Sequence, residues 1–138
     1  MGTSVLDKIA RHLESLGYAI TNNSDEESFL AEHSDEWSLI VREFAGGILF
    51  MTSWSANETA KDDATGFLRS INELNMQSRI VRFYSHTYTK SDGLALWAEA
   101  WQPHVYDERM FGEFVTVLIR DMNLIDDEET GVMKFISR

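Results

Sequence analysis

Apolar side chains recur with two different spacings along the chain. A period of two is typical of a β-strand, and a period of three to four is typical of an α-helix. The helical spacing predicts helices at about Val5–Leu16 and Ala60–Met76 and a third after Asp107. The alternating spacing predicts strands at about Phe29–His33, Trp37–Phe44, Gly47–Ser55, Arg79–Thr87 and Gly93–Trp101. The prediction is an α+β fold with an antiparallel sheet of about five strands in α-β-β-β-α-β-β-α order and with helices packed on one face.

The predicted helices begin next to residues that can cap them, namely Ser4, Thr59 and Asp107. The polar stretch Tyr18–Ser28 is interpreted as a loop. Gly66, inside the second helix, costs about 1 kcal/mol relative to alanine. Two explanations stay open for it: close approach to another backbone, including that of a partner subunit, or no structural role.

The first predicted hairpin, 37–55, carries apolar side chains on both faces. Any tight even-numbered loop at Ala45–Gly47 places Trp37, Leu39, Val41, Ile48, Phe50 and Trp54 on one face, which we interpret as the core. The opposite face then holds Ile40, Phe44, Leu49 and Met51. An antiparallel sheet normally has one solvent-exposed face with polar side chains. This second apolar face therefore needs an explanation.

The second predicted hairpin, 79–101, also has an unusual face. It collects the aromatic residues Tyr84, Tyr88, Trp97 and Trp101. A four-residue loop, Thr89–Asp92, pairs Tyr84 with Trp97, and a two-residue turn at Asp92-Gly93 pairs Tyr84 with Trp101. Both registers leave the faces unchanged, so the register stays open.

Together these side chains form the candidate protein-binding site. Its members are Ile40, Phe44, Leu49, Met51, Tyr84, Tyr88, Trp97 and Trp101. Tyrosine and tryptophan are enriched where interfaces concentrate their binding energy, and a monomer would leave an apolar patch larger than monomers usually carry. We therefore expect a homodimer. The alternative is that a helix or the tail, 126–138, covers the aromatic face of the same chain.

Composition narrows the class of protein. The 138 residues are expected to form a single domain with a core at about 5–124 and a tail that either docks or stays mobile. A net charge of −11 argues against nucleic-acid binding and against adsorption to anionic membranes. The chain has no cysteine, no apolar run near 20 residues and no secretory signal. We therefore expect a cytoplasmic protein.

No motif indicates catalysis. The four histidines are far apart in sequence, and neither a nucleophile elbow nor a phosphate-binding loop is present. We expect no catalytic residue, no metal and no cofactor, and an enzyme would need a cleft that joins His86, Arg82 and Glu99. The alternative to a protein-binding module is a sensory domain that holds a small molecule between sheet and helices.

Three segments resemble the YbjN-like family, which is described as candidate bacterial sensory transduction regulators with a type III secretion chaperone-like fold. They are INELN at 71–75, RIVRFY at 79–84 and GLALWAEAW at 93–101, and the resemblance spans about Val5–Leu124. It implies a small bacterial α+β domain that dimerises and binds polypeptides without catalysis. The expected function is therefore a chaperone-like or regulatory homodimer with a polypeptide partner.

Overall fold

The structure is a computed structural model that describes residues 4–23, 27–87 and 93–137. Its helices are α1 (Val5–Ser15), α2 (Glu58–Asp62), α3 (Ala64–Gln77) and α4 (Glu108–Met122). Its strands are β1 (Ala19–Asn22), β2 (Ser28–Glu32), β3 (Leu39–Phe44), β4 (Gly47–Ala56), β5 (Arg82–Thr87), β6 (Leu94–Pro103) and β7 (Ile136–Ser137). Two 3₁₀ turns, Asn123–Asp126 and Val132–Phe135, lie between α4 and β7.

The strands form one antiparallel sheet in the order β1-β2-β3-β4-β6-β5, and β7 pairs with β4. This confirms the predicted α+β class. By compactness the chain divides into two units: the first comprises 1–52 and 100–119, and the second comprises 53–99 and 120–138.

The first unit packs α1 and α4 on the same face of its strands. The α1 residues Leu6, Ile9 and Leu13 are buried, as the apolar stripe predicts. The Phe50 ring of β4 lies 5.1 Å from the ring of Phe114 in α4, measured between centroids. The buried strand residues Phe29, Ala31, Leu39, Val41 and Ile48 complete this core.

The second unit packs α3 against β5 and closes with the tail. Its buried side chains include Phe67, Ile71, Leu74, Phe83, Leu96, Ala98, Phe135 and Ile136. The tail docks as a strand, since Ala56 of β4 pairs with Ile136 of β7. The Phe67 and Phe135 rings also lie 5.6 Å apart.

Two predictions about the elements are wrong. The stretch interpreted as a loop contains β1, which pairs with β2 through Ile20 and Ala31. Three of the four β1 residues are exposed, so this strand has no apolar alternation that would reveal it. The second helix is divided at Asp63, and Thr59 does not begin it: Asn57 caps α2 and Asp63 caps α3.

The cap of α3 also explains Gly66. Its N–H donates to Asp63 Oδ1 at 2.9 Å, and a Cβ at position 66 would collide with the Asp63 carboxylate. The glycine therefore makes room for the cap of its own helix.

Candidate protein-binding surface

The β3–β4 hairpin positions the apolar face of the first unit. Ala45 and Gly46 both have positive φ, 52° and 75°, as a two-residue type I′ turn requires. The turn pairs Phe44 with Gly47 and, further along the strands, Ile40 with Met51. The side chains of Ile40, Phe44, Leu49 and Met51 therefore belong to one face, opposite the core residues.

Trp101 of β6 belongs to the same surface. Its indole Nε1 donates a hydrogen bond to the Phe44 carbonyl oxygen at 2.9 Å. The indole ring lies over Gly47, where any side chain would collide with it. Gly47 thus provides the space for this ring, as aromatic side chains cover glycines in other sheets.

The residues of this surface differ in how much of each side chain is exposed to solvent. Ile40, Phe44 and Trp101 expose 40%, 49% and 46% of their surface. Met51 is half-buried. Leu49 is only 7% exposed, so the expectation that it is exposed is wrong. Leu49 lies directly opposite Arg42 on β3, and on its own strand it is two residues from Gly47, over which the indole lies.

A cation completes the surface of the first unit. The guanidinium carbon of Arg42 lies 5.4 Å from the centroid of the Phe44 ring, within the range of a cation–π interaction. We call Ile40, Arg42, Phe44, Met51 and Trp101 the outer face of the first unit. It is mainly apolar and carries one cation.

In the second unit the other predicted site residues meet across β5 and β6. Tyr84 pairs with Trp97 and Arg82 pairs with Glu99, which confirms the register with the longer loop and excludes the pairing of Tyr84 with Trp101. Tyr84 and Trp97 are half-buried. Tyr88 and the loop residues 89–92 lie outside the described residues.

Polar contacts fix the Tyr84 side chain. Its hydroxyl donates to Glu99 Oε2 at 3.0 Å, and the Arg82 guanidinium carbon lies 5.0 Å from its ring centroid. Arg82 also forms an ion pair with Glu99. Burial, with the Glu99 hydrogen bond and charge adding to it, raises the pKa of Tyr84. Tyr84 therefore stays a hydrogen-bond donor at neutral pH.

The segment that leads into β5 is held by a buried carboxylate that sequence analysis missed. Asp121 Oδ2 accepts backbone N–H bonds from Arg79, Ile80 and Val81 at 2.8, 2.8 and 3.0 Å. Asp121 Oδ1 accepts a hydrogen bond from Arg120 at 2.8 Å. Because these backbone donors are already used, β5 begins at Arg82 rather than at the predicted Arg79.

Asn75, the last residue of INELN, also binds β5. Its side-chain Nδ2 donates to the Phe83 carbonyl oxygen, and its Oδ1 accepts from the Phe83 N–H, both at 2.9 Å. The carboxamide thus pairs with both backbone groups of Phe83, as a neighbouring strand would. β5 is an edge strand, and such side-chain pairing protects an edge from further strand addition.

The described parts of the chain contain clefts but no cluster of metal ligands. No three histidine, aspartate or glutamate side chains there come together as metal ligands would. Two clefts open in the first unit, along the sides of α1 and α4. No helix within the described ranges is both long enough and apolar enough to span a membrane.

The fold defined by this sheet and these helices is the α+β fold that the resemblance implies. The chain is similar to the crystal structure of YbjN from E. coli, which is described as a proposed transcription regulator. The two share 13% sequence identity with a TM-score of 0.73, and the likeness covers 96% of each chain. The chain therefore has a YbjN-like fold. No known family profile matches the sequence, and no curated protein does.

Proposed function

We propose that this chain is a non-enzymatic protein-binding module, chaperone-like or regulatory, that acts as a homodimer through the outer face of the first unit. The observation that carries the proposal is the exposure of Ile40, Phe44 and Trp101 on one sheet face. Exposed apolar and aromatic side chains of this kind mark interaction sites on soluble proteins.

The composition of the outer face suits an interface. Trp101 and Phe44 offer rigid aromatic area, and the hydrogen bond between them holds the indole in place before any partner arrives. Side chains that are already ordered lose less conformational entropy on binding. The Arg42 guanidinium beside Phe44 adds a group that is frequent in binding hot spots.

Charge favours a basic polypeptide as the further partner. The chain carries 23 acidic and 12 basic side chains. This excess speeds encounter with positively charged partners and disfavours nucleic acid. The likeness in fold to a proposed transcription regulator is compatible with a regulatory role that works through protein contacts.

Light scattering after size exclusion tests the homodimer. We expect a mass near twice the 15.8 kDa of the monomer at micromolar concentration. Replacing Ile40 and Phe44 together with threonine should raise the dissociation constant about tenfold or more, because two exposed apolar anchors are lost. Threonine suits a β-strand, so the fold should persist.

Val105→Thr is the matched control. Val105 is 58% exposed in the same unit but lies outside the strands. Its replacement should leave the dissociation constant unchanged. A monomer mass for the wild-type chain at every concentration would refute the homodimer. Equal weakening by Val105→Thr would refute the assignment of the outer face.

A further inference from the structure

We propose that the cleft between α1 and the start of α4 binds the phosphate group of a small organic phosphate. The cleft is open to solvent, has a volume of about 330 Å³ and is lined by Lys8, Arg11, His12, Ser15, Tyr106 and Glu108. All six belong to the first unit. This inference is independent of the protein-binding function, because it concerns helix surfaces and not the outer face of the sheet.

The four α1 residues follow helical spacing. Lys8, Arg11, His12 and Ser15 lie at steps of three, one and three, so they form one stripe along the helix. The buried stripe of α1 is formed instead by Leu6, Ile9 and Leu13. The cleft therefore opens on the side of α1 that is not needed for the core.

Two cations in this cleft have no carboxylate partner. Among the described residues, neither Lys8 nor Arg11 forms an ion pair. Both side chains are exposed. In a chain with a net charge of −11, the lining of this cleft carries these two cations, one helical turn apart, and a single carboxylate, Glu108, and is therefore locally positive. A dianionic phosphate is the chemistry that two neighbouring cations recognise.

His12 supplies the third donor. Its Nδ1 lies 2.8 Å from the Tyr106 hydroxyl oxygen. Burial, with the charges of Glu108 and Asp107 adding to it, raises the pKa of Tyr106, so the hydroxyl keeps its proton. That hydroxyl can therefore donate to Nδ1, which leaves Nε2, on the side of Gly112, as the ring nitrogen that can donate to a ligand. Ser15 adds no donor, because its hydroxyl donates to the His12 carbonyl oxygen.

The rest of the ligand is placed by a second cleft. It is a shallow, open cleft of about 500 Å³ along α4, and its lining includes Gly112, Thr116 and Val117. His12 and Glu108 line both clefts. A phosphate at Lys8 and Arg11 therefore leaves room for an organic body along α4. The Glu108 carboxylate lines both clefts, so it opposes part of the phosphate charge and can accept a hydrogen bond from a ligand hydroxyl.

Amide NMR shifts during titration with glycerol 3-phosphate test the proposal, with glycerol and sodium sulfate as reference titrations at constant ionic strength. We expect saturable shifts confined to 8–15 and 106–117, with a dissociation constant of about 1 mM or below. Glycerol should cause none, and sulfate should bind more weakly because it lacks the organic body.

Two variants distinguish binding in this cleft from a general attraction of anions to positive charges on the protein. Arg11→Gln should raise the dissociation constant for glycerol 3-phosphate about tenfold or more, since a charge-assisted hydrogen bond is lost. Arg69→Gln removes an equal charge from an exposed helical position in the second unit and should change nothing. Non-saturating shifts, shifts spread over the whole chain, or equal effects of the two variants would overturn the proposal.

Discussion

Replacing Asp121 with alanine should lower the free energy of unfolding by about 3–5 kcal/mol. The carboxylate is completely buried, and one of its oxygens accepts the N–H groups of Arg79, Ile80 and Val81. A buried donor without an acceptor costs about 1–3 kcal/mol. The Val81 donor is fully buried and the other two are partly buried, so the three together account for the expected loss.

Urea denaturation followed by circular dichroism measures this loss. Glu128→Ala is the matched control, because it removes an equal charge from an exposed position in the same unit and should change stability by no more than about 0.5 kcal/mol. Asp121→Asn should fall between the two, since an amide oxygen can still accept the backbone bonds. Each melt is repeated at several protein concentrations, because a dimer contributes stability that depends on concentration.

Hydrogen exchange provides the refuting observation. If Asp121 holds the segment before β5, the amides of 79–81 should exchange faster in Asp121→Ala while the β2 and β3 amides keep their relative protection. A variant that unfolds within about 1 kcal/mol of the wild type would contradict the reasoning. Unchanged exchange at 79–81 would do the same.

Two further predictions concern single side chains. Asn75→Ala should lower the free energy of unfolding by about 1–3 kcal/mol, because it removes both hydrogen bonds to the Phe83 backbone. The control Asn72→Ala, one turn earlier in α3, should lower it little. Equal urea midpoints for the two variants would contradict this prediction. Burial, with the Glu36 charge adding to it, raises the pKa of Tyr18 to about 12 from an ordinary value of 10.0. The unfolded chain therefore loses this proton first, so stability should be unaffected below pH 10 and fall by up to about 2–3 kcal/mol between pH 10 and 12. Tyr18→Phe should remove that fall. Urea melts of both proteins across this pH range measure it, and an equal loss of stability in the two would contradict the prediction.

The faces of the main strands could be predicted because the signal is local. Alternation with a period of two assigns each side chain to a face before the pairing is known. Leu96, Ala98 and Ala100 alternate with Trp97 and Trp101, which places them on the opposite, core side of β6, and all three are buried. The register was not predicted: of the two that stayed open, the structure has the one that pairs Tyr84 with Trp97 and puts the large Phe83 opposite the small Ala98.

The side-chain contacts that hold β5 could not be predicted by the same reasoning. Asp121 reaches backbone groups about forty residues earlier in the chain, and no periodic pattern relates the two segments. A lone aspartate on a predicted helix reads as a solvent-facing residue. Asn75 is closer, eight residues from Phe83, but its bond depends on the angle at which the chain leaves α3. Tertiary geometry of this kind is absent from a single sequence.

The burial of Leu49 could not be predicted either, but for a different reason. The face of the sheet to which Leu49 belongs was predicted correctly, but the exposed fraction of its side chain depends on the positions of the neighbouring side chains. Nothing in the alternation indicates that the Trp101 ring lies close to Gly47. A glycine in a strand is a recognised sign that something approaches the backbone closely. That sign at Gly47 was available in the sequence, although the partner was not.

These contacts change which residues best test the binding surface. From sequence, Trp97 and Trp101 are the obvious pair to truncate, since both alternate with core positions. In the structure Trp97 is half-buried, and Trp101 covers Gly47 and binds the Phe44 carbonyl oxygen. Alanine at either position therefore removes intramolecular packing as well as any interface, and a weakened dimer would have two causes. Phe44 and Ile40 expose nearly half of their surface and leave the Trp101 hydrogen bond intact, because that bond uses a backbone oxygen. A loss of self-association on their replacement has one cause, and for that reason the homodimer is tested there.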